Sequence, residues 1–189
     1  ELVAFEYSEQ ALSQGLELSV YTLPLKGPRL RMGFPAHQWG LPGPVYDALP
    51  DGWGMLLMDR FFKRKELSPA RMGALERLAY IGSTAMGAMS FEPVVDEALP
   101  VPEAISLAQL AAEVQQVQQG EGGEFLQRLL QMGGSPQGAR PKVLLYRNPA
   151  TEVFSTVEQP GDEAWLVKFP ARQEHAEMCA VEAIYGECL

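Results

Sequence analysis

The sequence predicts an α+β protein in two parts, and three observations lead to this prediction. Short segments with alternating apolar residues, near the start and again after residue 141, predict strands. Between them, several segments carry apolar residues at helical spacing. The sequence pattern changes from Lys142 onwards, and we place the boundary between the two parts near residue 120. We therefore expect residues 1–119 to form a small antiparallel sheet or barrel with helices, and residues 120–189 an antiparallel sheet with one helix.

The overall charge restricts the classes of function. The chain has 189 residues, 47% hydrophobic and 21% charged, with a net charge of -9. An acidic protein of this kind is a poor candidate for direct nucleic-acid binding, which needs a basic surface. The basic segment Arg60–Lys65 (RFFKRK) is better explained as the end of a helix, where cations are favoured.

Cysteine usage and hydropathy indicate a cytoplasmic protein. Cys179 and Cys188 are nine residues apart, on opposite faces of a predicted helix, so they predict neither a disulfide nor a zinc site. A reducing compartment fits best. No apolar run approaches the roughly 20 residues of a membrane span, and no signal peptide opens the chain. Because the chain starts at Glu1 inside a predicted strand, we expect it to be cut from a longer polypeptide.

The first part contains predicted strands at its start and helices further on. The segments ELVAFEYSEQAL and LELSVYTLPL predict two strands, and GFPAHQWGLPGP predicts a loop. A helix follows Pro50, with Asp51 as its cap. A second helix follows Ser68-Pro69 and ends at Gly82, and GAMSFEPV predicts a strand. The expected apolar face of the first helix consists of Met55, Leu56, Met58, Phe61 and Phe62.

The first part ends with a predicted linker, residues 95–105, and a helix that begins after Ser106 and ends at Gly120. The second part is predicted to hold three strands. GEFLQRLLQMGG predicts a short helix. PKVLLYR, TEVFSTV and EAWLVKFP predict three strands, and a last helix is expected over about 172–188.

The segment GGSPQGARPK, residues 133–142, precedes the first of these strands. Its glycines permit close backbone approach to a ligand, and successive N–H groups in such a loop form an anion-binding nest. Lys142 would meet phosphate as a point charge. The loop lacks Walker A spacing and leads into a strand, so a plain glycine- and proline-rich connection is the alternative.

Two further residues favour the phosphate interpretation. Alternation in AWLVKFP separates Lys168 from the apolar face of its strand, and a buried lysine needs a partner. Glu177 lies on the apolar stripe of the last predicted helix and is the expected partner; Glu182 and Glu187 point elsewhere. A strand-edge lysine and a helix-end glutamate remain the alternative. Loop, lysine and helix glutamate follow one another in this order in the N-lobe of a kinase.

Five segments resemble the HipA-like serine/threonine kinases, toxins of bacterial toxin–antitoxin pairs. YDALPDGWGMLLMDRF is similar to the family's F-x-N-L-L-P-D segment, and LAYIGSTAMGAMSFEP to its L-x-x-I-G-x-D-x-x-G-A segment. SPQGARPK is similar to its S-x-x-G-A-x-P-K loop, WLVKFP to its lysine strand, and AEMCAVEAIYGECL to its helix motif. The five occur in the family's order along nearly the whole chain.

The resemblance implies an N-terminal subdomain followed by a kinase N-lobe, with ATP and Mg²⁺ as cofactors. It also implies that Ser135 is autophosphorylated, and phosphate there would expel the loop by repulsion. The implied partners are a HipB-like antitoxin and a protein substrate such as an aminoacyl-tRNA synthetase, with nucleic acid reached only through the antitoxin. The implied ATP-binding residues are Gly134, Ser135, Gly138, Ala139, Lys142, Lys168 and Glu177.

The sequence departs from a complete kinase after Lys168. The remaining 21 residues, 169–189, contain no Asp, and neither His37 nor His175 fits a catalytic H-x-D loop. We expect no catalytic and no metal-binding residue in this chain. Three hypotheses follow: a kinase fragment without its C-lobe, a natural short chain that binds a kinase or antitoxin without catalysis, and an α+β domain without a nucleotide site. An open reading frame beyond Leu189 with H-x-D and a second Asp motif favours the first.

Overall fold

The computed structural model describes residues 2–85, 87–95, 104–120, 129, 138–175 and 177–188. It confirms an α+β fold, which combines helices with a four-stranded antiparallel sheet. Among the described residues, no helix has the length and apolar character needed to cross a membrane.

The strands expected in the first 25 residues are not formed. Helix α1 occupies Glu9–Gln14; Ser8 caps it by accepting the Ala11 N–H, and Gly15 ends it. In the described residues 2–85, β pairing is limited to two isolated bridges, Phe5 with Arg31 and Ser19 with Leu23. The alternating pattern was misleading, because Leu16 and Val20, which it would place on one buried face, are exposed, as is their neighbour Tyr21.

Three helices form the centre of the first part. Helix α2 spans Gly43–Asp47, α3 spans Gly52–Arg64 and α4 spans Ala74–Ile81. The predicted face of α3 is partly wrong, because Leu56 is 37% exposed while Leu57 is fully buried. Gly82 follows the last residue of α4, as predicted, whereas Pro69 begins a separate 3-10 turn, Pro69–Arg71. Buried residues of α3 are Trp53, Gly54, Leu57, Met58, Phe61 and Phe62.

Arg77 of α4 is a buried cation, only 3% exposed. Its guanidinium donates to Asp59 Oδ1 at 2.7 Å and to the carbonyls of Pro69 and Met72 at 3.1 and 3.3 Å. It also lies 5.3 Å from the centroid of the Phe62 ring. Because a buried charge is costly unless paired and hydrogen-bonded, this side chain joins α3, α4 and the turn between them.

The segment GAMSFEPV is not a strand within the described residues 87–95. Its backbone instead bonds to the preceding helix. The Phe91 N–H donates to the Gly82 carbonyl at 3.0 Å, and directly after the segment the Val95 N–H donates to the Ala79 carbonyl at 3.1 Å. The strand prediction was wrong because these donors already have partners at the end of α4.

Helix α5 spans Leu107–Gln119 and confirms its predicted ends. Ser106 accepts the Gln109 N–H, and Gly120 closes the helix with a φ of 98°. Strand β1, Ala104–Ile105, directly precedes it. Most of the expected short helix lies outside the described residues, which omit 121–128 and 130–137. Leu129 is described and is buried.

The three strands predicted in the second part are confirmed as β2 (Lys142–Arg147), β3 (Phe154–Ser155) and β4 (Glu163–Lys168). The sheet has the order β1-β3-β2-β4, and all neighbours are antiparallel. A ladder of six residue pairs joins β2 to β4, from Lys142 opposite Lys168 to Arg147 opposite Glu163.

One buried cluster joins the two parts. Val143 and Leu145 of β2 belong to the same core as Leu110, Val114 and Val117 of α5, and as α3 and α4. The opposite face of the sheet carries the two end lysines and meets helix α6, Met178–Glu187, which is shorter than predicted. The division at 119/120 stays a prediction, and the hydrophobic core is continuous across it.

Candidate functional site

The candidate site is built around Lys142 and Lys168, called here the lysine pair. They are directly opposite each other at the end of the β2–β4 ladder. Opposite residues of an antiparallel pair project on the same face, with Cβ atoms about 4.5–5.5 Å apart. Alternation places Val143 and Val167 on the other face, in the core. The sheet therefore presents two cations side by side, an arrangement that is unfavourable without anions nearby.

Lys142 is the buried member of the pair, with 6% of the residue exposed. Burial lowers the pKa of Lys142, and the charge of Lys168 lowers it further, whereas the carboxylates of Asp51 and Glu182 raise it. Since burial is the largest of these effects, the ammonium loses more free energy of hydration than the carboxylates of Asp51 and Glu182 restore. A further anion at this position would be favoured.

Lys168 is the more accessible member, and its ammonium pairs with Glu182 of α6. The hydrogen bond from Lys168 lowers the pKa of Glu182, with a further contribution from Arg140. Arg140 contacts the other oxygen of Glu182 and also pairs with Glu174 at 2.7 Å. This network ties the end of the glycine-rich segment to α6.

The expected pairing of Lys168 with Glu177 is not the one observed. Glu177 occupies the N-cap position of α6, its side chain is 79% exposed, and its carboxylate lies 3.8 Å from His175 Nδ1. The reason is the rotation of α6 about its axis. The stripe assumed to face inward is exposed at Val181 and Ile184, and Glu182 faces the sheet instead. The assignment of Glu177 to nucleotide binding stays a prediction.

The glycine-rich segment is described from Gly138 onwards; Gly134 and Ser135 lie outside the described residues. Gly138 has a φ of 111°, which favours glycine, and a Cβ added there would lie 2.8 Å from Lys142 Nζ. Its N–H donates to Asp51 Oδ1 at 2.5 Å. Ala139 is exposed and follows Gly138 toward the sheet.

Asp51 does not cap helix α3 as predicted. It occupies the N-cap position, but its side chain makes no bond to the first turn of the helix. Its carboxylate contacts Gly138 instead. The sequence thus predicted the start of the helix correctly, but the Asp51 carboxylate accepts a hydrogen bond from Gly138 instead of from the first turn of α3.

Sequence reasoning missed three residues that the structure brings to the lysine pair, namely Asp51, Arg140 and Glu182. Arg140 carried a usable signal, since it directly precedes Pro-Lys in a segment with two later acidic residues to pair with. Glu182 was set aside because helical periodicity does not say which face turns toward a neighbour. His175 is exposed, and His37 lies on a 3-10 turn of the first part.

The arrangement suits the phosphates of a nucleotide better than it suits a metal. Two ammonium groups and a glycine-rich backbone are groups that bind phosphate oxygens. Within the described part of the chain, no three His, Cys, Asp or Glu side chains are grouped as metal ligands. The described residues thus offer two ammonium groups and backbone to phosphate oxygens, and the assignment of ATP stays a prediction.

Comparison with known families gives one match. Residues 1–92 match the family model of the HipA N-terminal domain, which covers the first of the five motifs in full and the second up to Glu92. No curated protein and no solved structure matches the chain. The match supports a HipA-like protein, in which residues 1–92 of this chain are similar to the HipA N-terminal domain.

Proposed function

We propose that this chain is the N-terminal portion of a HipA-like serine/threonine kinase toxin and that the lysine pair binds the phosphates of ATP. The observation that carries the proposal is the placement of Lys142 opposite Lys168 on one face of the sheet. The match over residues 1–92 supports a HipA-like toxin, and the site itself supports the ligand.

The charges around the pair favour an additional anion. Glu182 contacts Lys168 and Arg140, so one carboxylate is shared between two cations. Lys142 is buried beside them, with a pKa lowered chiefly by that burial. A triphosphate would bring several negative charges to this face and offset both the repulsion and the lost hydration. Glu182 would orient Lys168, as the helix glutamate of a kinase N-lobe does.

The proposed regulation uses Ser135, three residues before Gly138. Autophosphorylation there would add up to about two negative charges beside the site that receives the ATP phosphates. Repulsion would then move the glycine-rich segment away and inactivate the enzyme. Mass spectrometry of the full-length kinase incubated with Mg²⁺-ATP should find phosphate on Ser135, and Ser135→Ala should lack it.

Phosphoryl transfer needs groups that residues 169–189 do not contain, since no Asp follows Lys168. We propose that the catalytic base and the metal-binding Asp lie outside residues 1–189, and that residues 1–189 alone bind ATP without transferring phosphate. The proposed partners are a HipB-like antitoxin and a protein substrate such as an aminoacyl-tRNA synthetase. The proposed location is the cytoplasm.

Titration calorimetry with Mg²⁺-ATP tests the site directly on the 189-residue chain. Lys142→Met and Lys168→Met should each weaken binding by at least about tenfold, because each removes a charge-assisted contact. Lys26→Met is the matched control, since Lys26 is an exposed lysine of the first part. Absence of ATP binding by the wild type, or unchanged affinity in both site variants, would contradict the proposal.

A second candidate function is binding of a protein partner without catalysis. It is favoured by the exposed apolar side chains of α6, of which Ile184 is 60% and Tyr185 is 70% exposed. A chain of this kind should bind a kinase or an antitoxin while Mg²⁺-ATP gives no heat. Calorimetry with nucleotide therefore separates the two candidates before any partner is known.

A further inference from the structure

The start of helix α3 holds Gly138 by both of its backbone polar groups. Asp51 Oδ1 accepts the Gly138 N–H at 2.5 Å, and the Trp53 N–H donates to the Gly138 carbonyl at 3.2 Å. The two segments are 87 residues apart in the sequence. The described end of the glycine-rich segment is therefore fixed by the HipA N-terminal domain.

Gly52, which lies between Asp51 and Trp53, lets the backbone at the start of α3 come close to the backbone of Gly138 and Ala139. Gly52 has a φ of 39°, and a Cβ added there would lie 2.7 Å from Ala139 Cα and from the carbonyl carbon and oxygen of Gly138. Real side chains do not tolerate such distances to backbone atoms. Only glycine lets the turn and the segment meet in this way.

The start of helix α3 is itself fixed in the hydrophobic core. The Trp53 side chain is 2% exposed and belongs to the core cluster. On its other side, Gly138 lies against the ammonium of Lys142, since a Cβ on Gly138 would be 2.8 Å from that Nζ. A chain of contacts thus runs from the buried Trp53, through Gly138, to the buried member of the lysine pair.

We propose that Asp51, Gly52 and Trp53 form a clamp that positions Gly138, and through it Lys142, for the nucleotide. The N-terminal domain would then set the geometry of the site without touching the ligand. The ligand in this inference rests on the proposed function; the clamp does not, because it consists of contacts within the chain.

A competing role for Asp51 makes the opposite prediction about ATP. The carboxylate accepts an N–H that a phosphate would use, so it would act as an internal competitor if nucleotide displaced it. Asp51→Ala would then tighten ATP binding. In a clamp, the same variant loosens the segment and weakens binding.

Amide exchange of Gly138, measured by NMR on the 189-residue chain, tests the clamp without nucleotide. Asp51→Ala should speed exchange of this amide about tenfold, as expected for loss of one charge-assisted hydrogen bond. Asp51→Asn should stay near the wild type, since its amide oxygen still accepts, and it controls for the lost charge. Ser8→Ala, which removes a capping acceptor elsewhere in the first part, should leave Gly138 unchanged.

ATP affinity of the same variants completes the test. The clamp predicts several-fold weaker binding by Asp51→Ala and near-normal binding by Asp51→Asn. Unchanged Gly138 exchange in Asp51→Ala, or tighter ATP binding by that variant, would overturn the clamp. If Gly138 exchange accelerates but even the wild type binds no ATP, the clamp is supported and the proposed nucleotide function is the part that fails.

Discussion

Replacing Lys142 with Met should stabilise the protein while removing ATP binding. The ammonium is buried at 6% exposure and lies opposite a second lysine, so its charged form is penalised in the folded state. Met keeps an unbranched apolar side chain without that charge. Asp51 stays exposed and bonded to Gly138, so no buried carboxylate is left without a partner. Substitutions of buried ionic groups suggest a gain of about 1–2 kcal/mol in the free energy of unfolding.

Thermal unfolding measures this gain, which corresponds to an increase in Tm of about 2–8 °C for a chain of this size. Lys168→Met is the matched comparison. Lys168 is partly exposed and paired with Glu182, so its loss should leave stability unchanged or lower. Both variants should lose ATP affinity. A lower Tm for Lys142→Met than for the wild type would refute the argument that burial of this charge is unfavourable.

The pH dependence supplies a second check on the same variant. The folded-state pKa of Lys142 lies below its ordinary value of 10.5, so the unfolded state binds more protons between the two values. Wild-type stability should therefore rise relative to Lys142→Met as pH increases through the lowered pKa. Above pH 10.5 the Lys142 amine is neutral in both the folded and the unfolded state, so the stability difference due to its charge should disappear.

Three further predictions concern the rest of the fold. Arg77→Met should lower the free energy of unfolding by about 2–4 kcal/mol in urea titrations, because it removes several hydrogen bonds from a buried cation, whereas the exposed Arg71→Met should have little effect. The hydrogen bond from Lys168 lowers the pKa of Glu182, so the stability that this carboxylate contributes is present above pH 4.5 and is lost as the pH falls through the lowered pKa. Glu182→Gln should therefore show a smaller decrease in Tm on acidification than the wild type. Light scattering should detect self-association at high concentration through the apolar surface around Ile184, which Ile184→Lys should reduce; a clean wild-type monomer would contradict this.

Local signals predicted the elements that depend on local chemistry. Helix α5 begins and ends where Ser106 and Gly120 indicated, because a capping hydroxyl and a left-handed glycine act within one turn. Alternation failed near the start of the chain, because a strand also needs a neighbour to pair with. Tyr21, which the pattern placed in a strand, is 92% exposed.

The candidate site was only partly predictable for a related reason. The sequence selected Lys142 and Lys168 separately as candidate phosphate contacts, but their position opposite each other depends on the register of β2 and β4, which alternation does not specify. Glu182 depends on how α6 rotates against the sheet, which no periodicity specifies. Asp51 depends on a contact across 87 residues, and its local role as a helix cap was the stronger signal in the sequence.

The continuous core has a consequence for dividing the chain. Strand β1 precedes α5 in sequence, yet it forms the edge of a sheet whose other strands all follow residue 141. Gln118 of α5 also donates to the Pro170 carbonyl at 3.0 Å. Residues 121–189 expressed alone would lose both an edge strand and the helix beneath the sheet. Two polypeptides separated after Gly120 should therefore recognise each other and refold together, which makes this junction a natural point for fragment complementation.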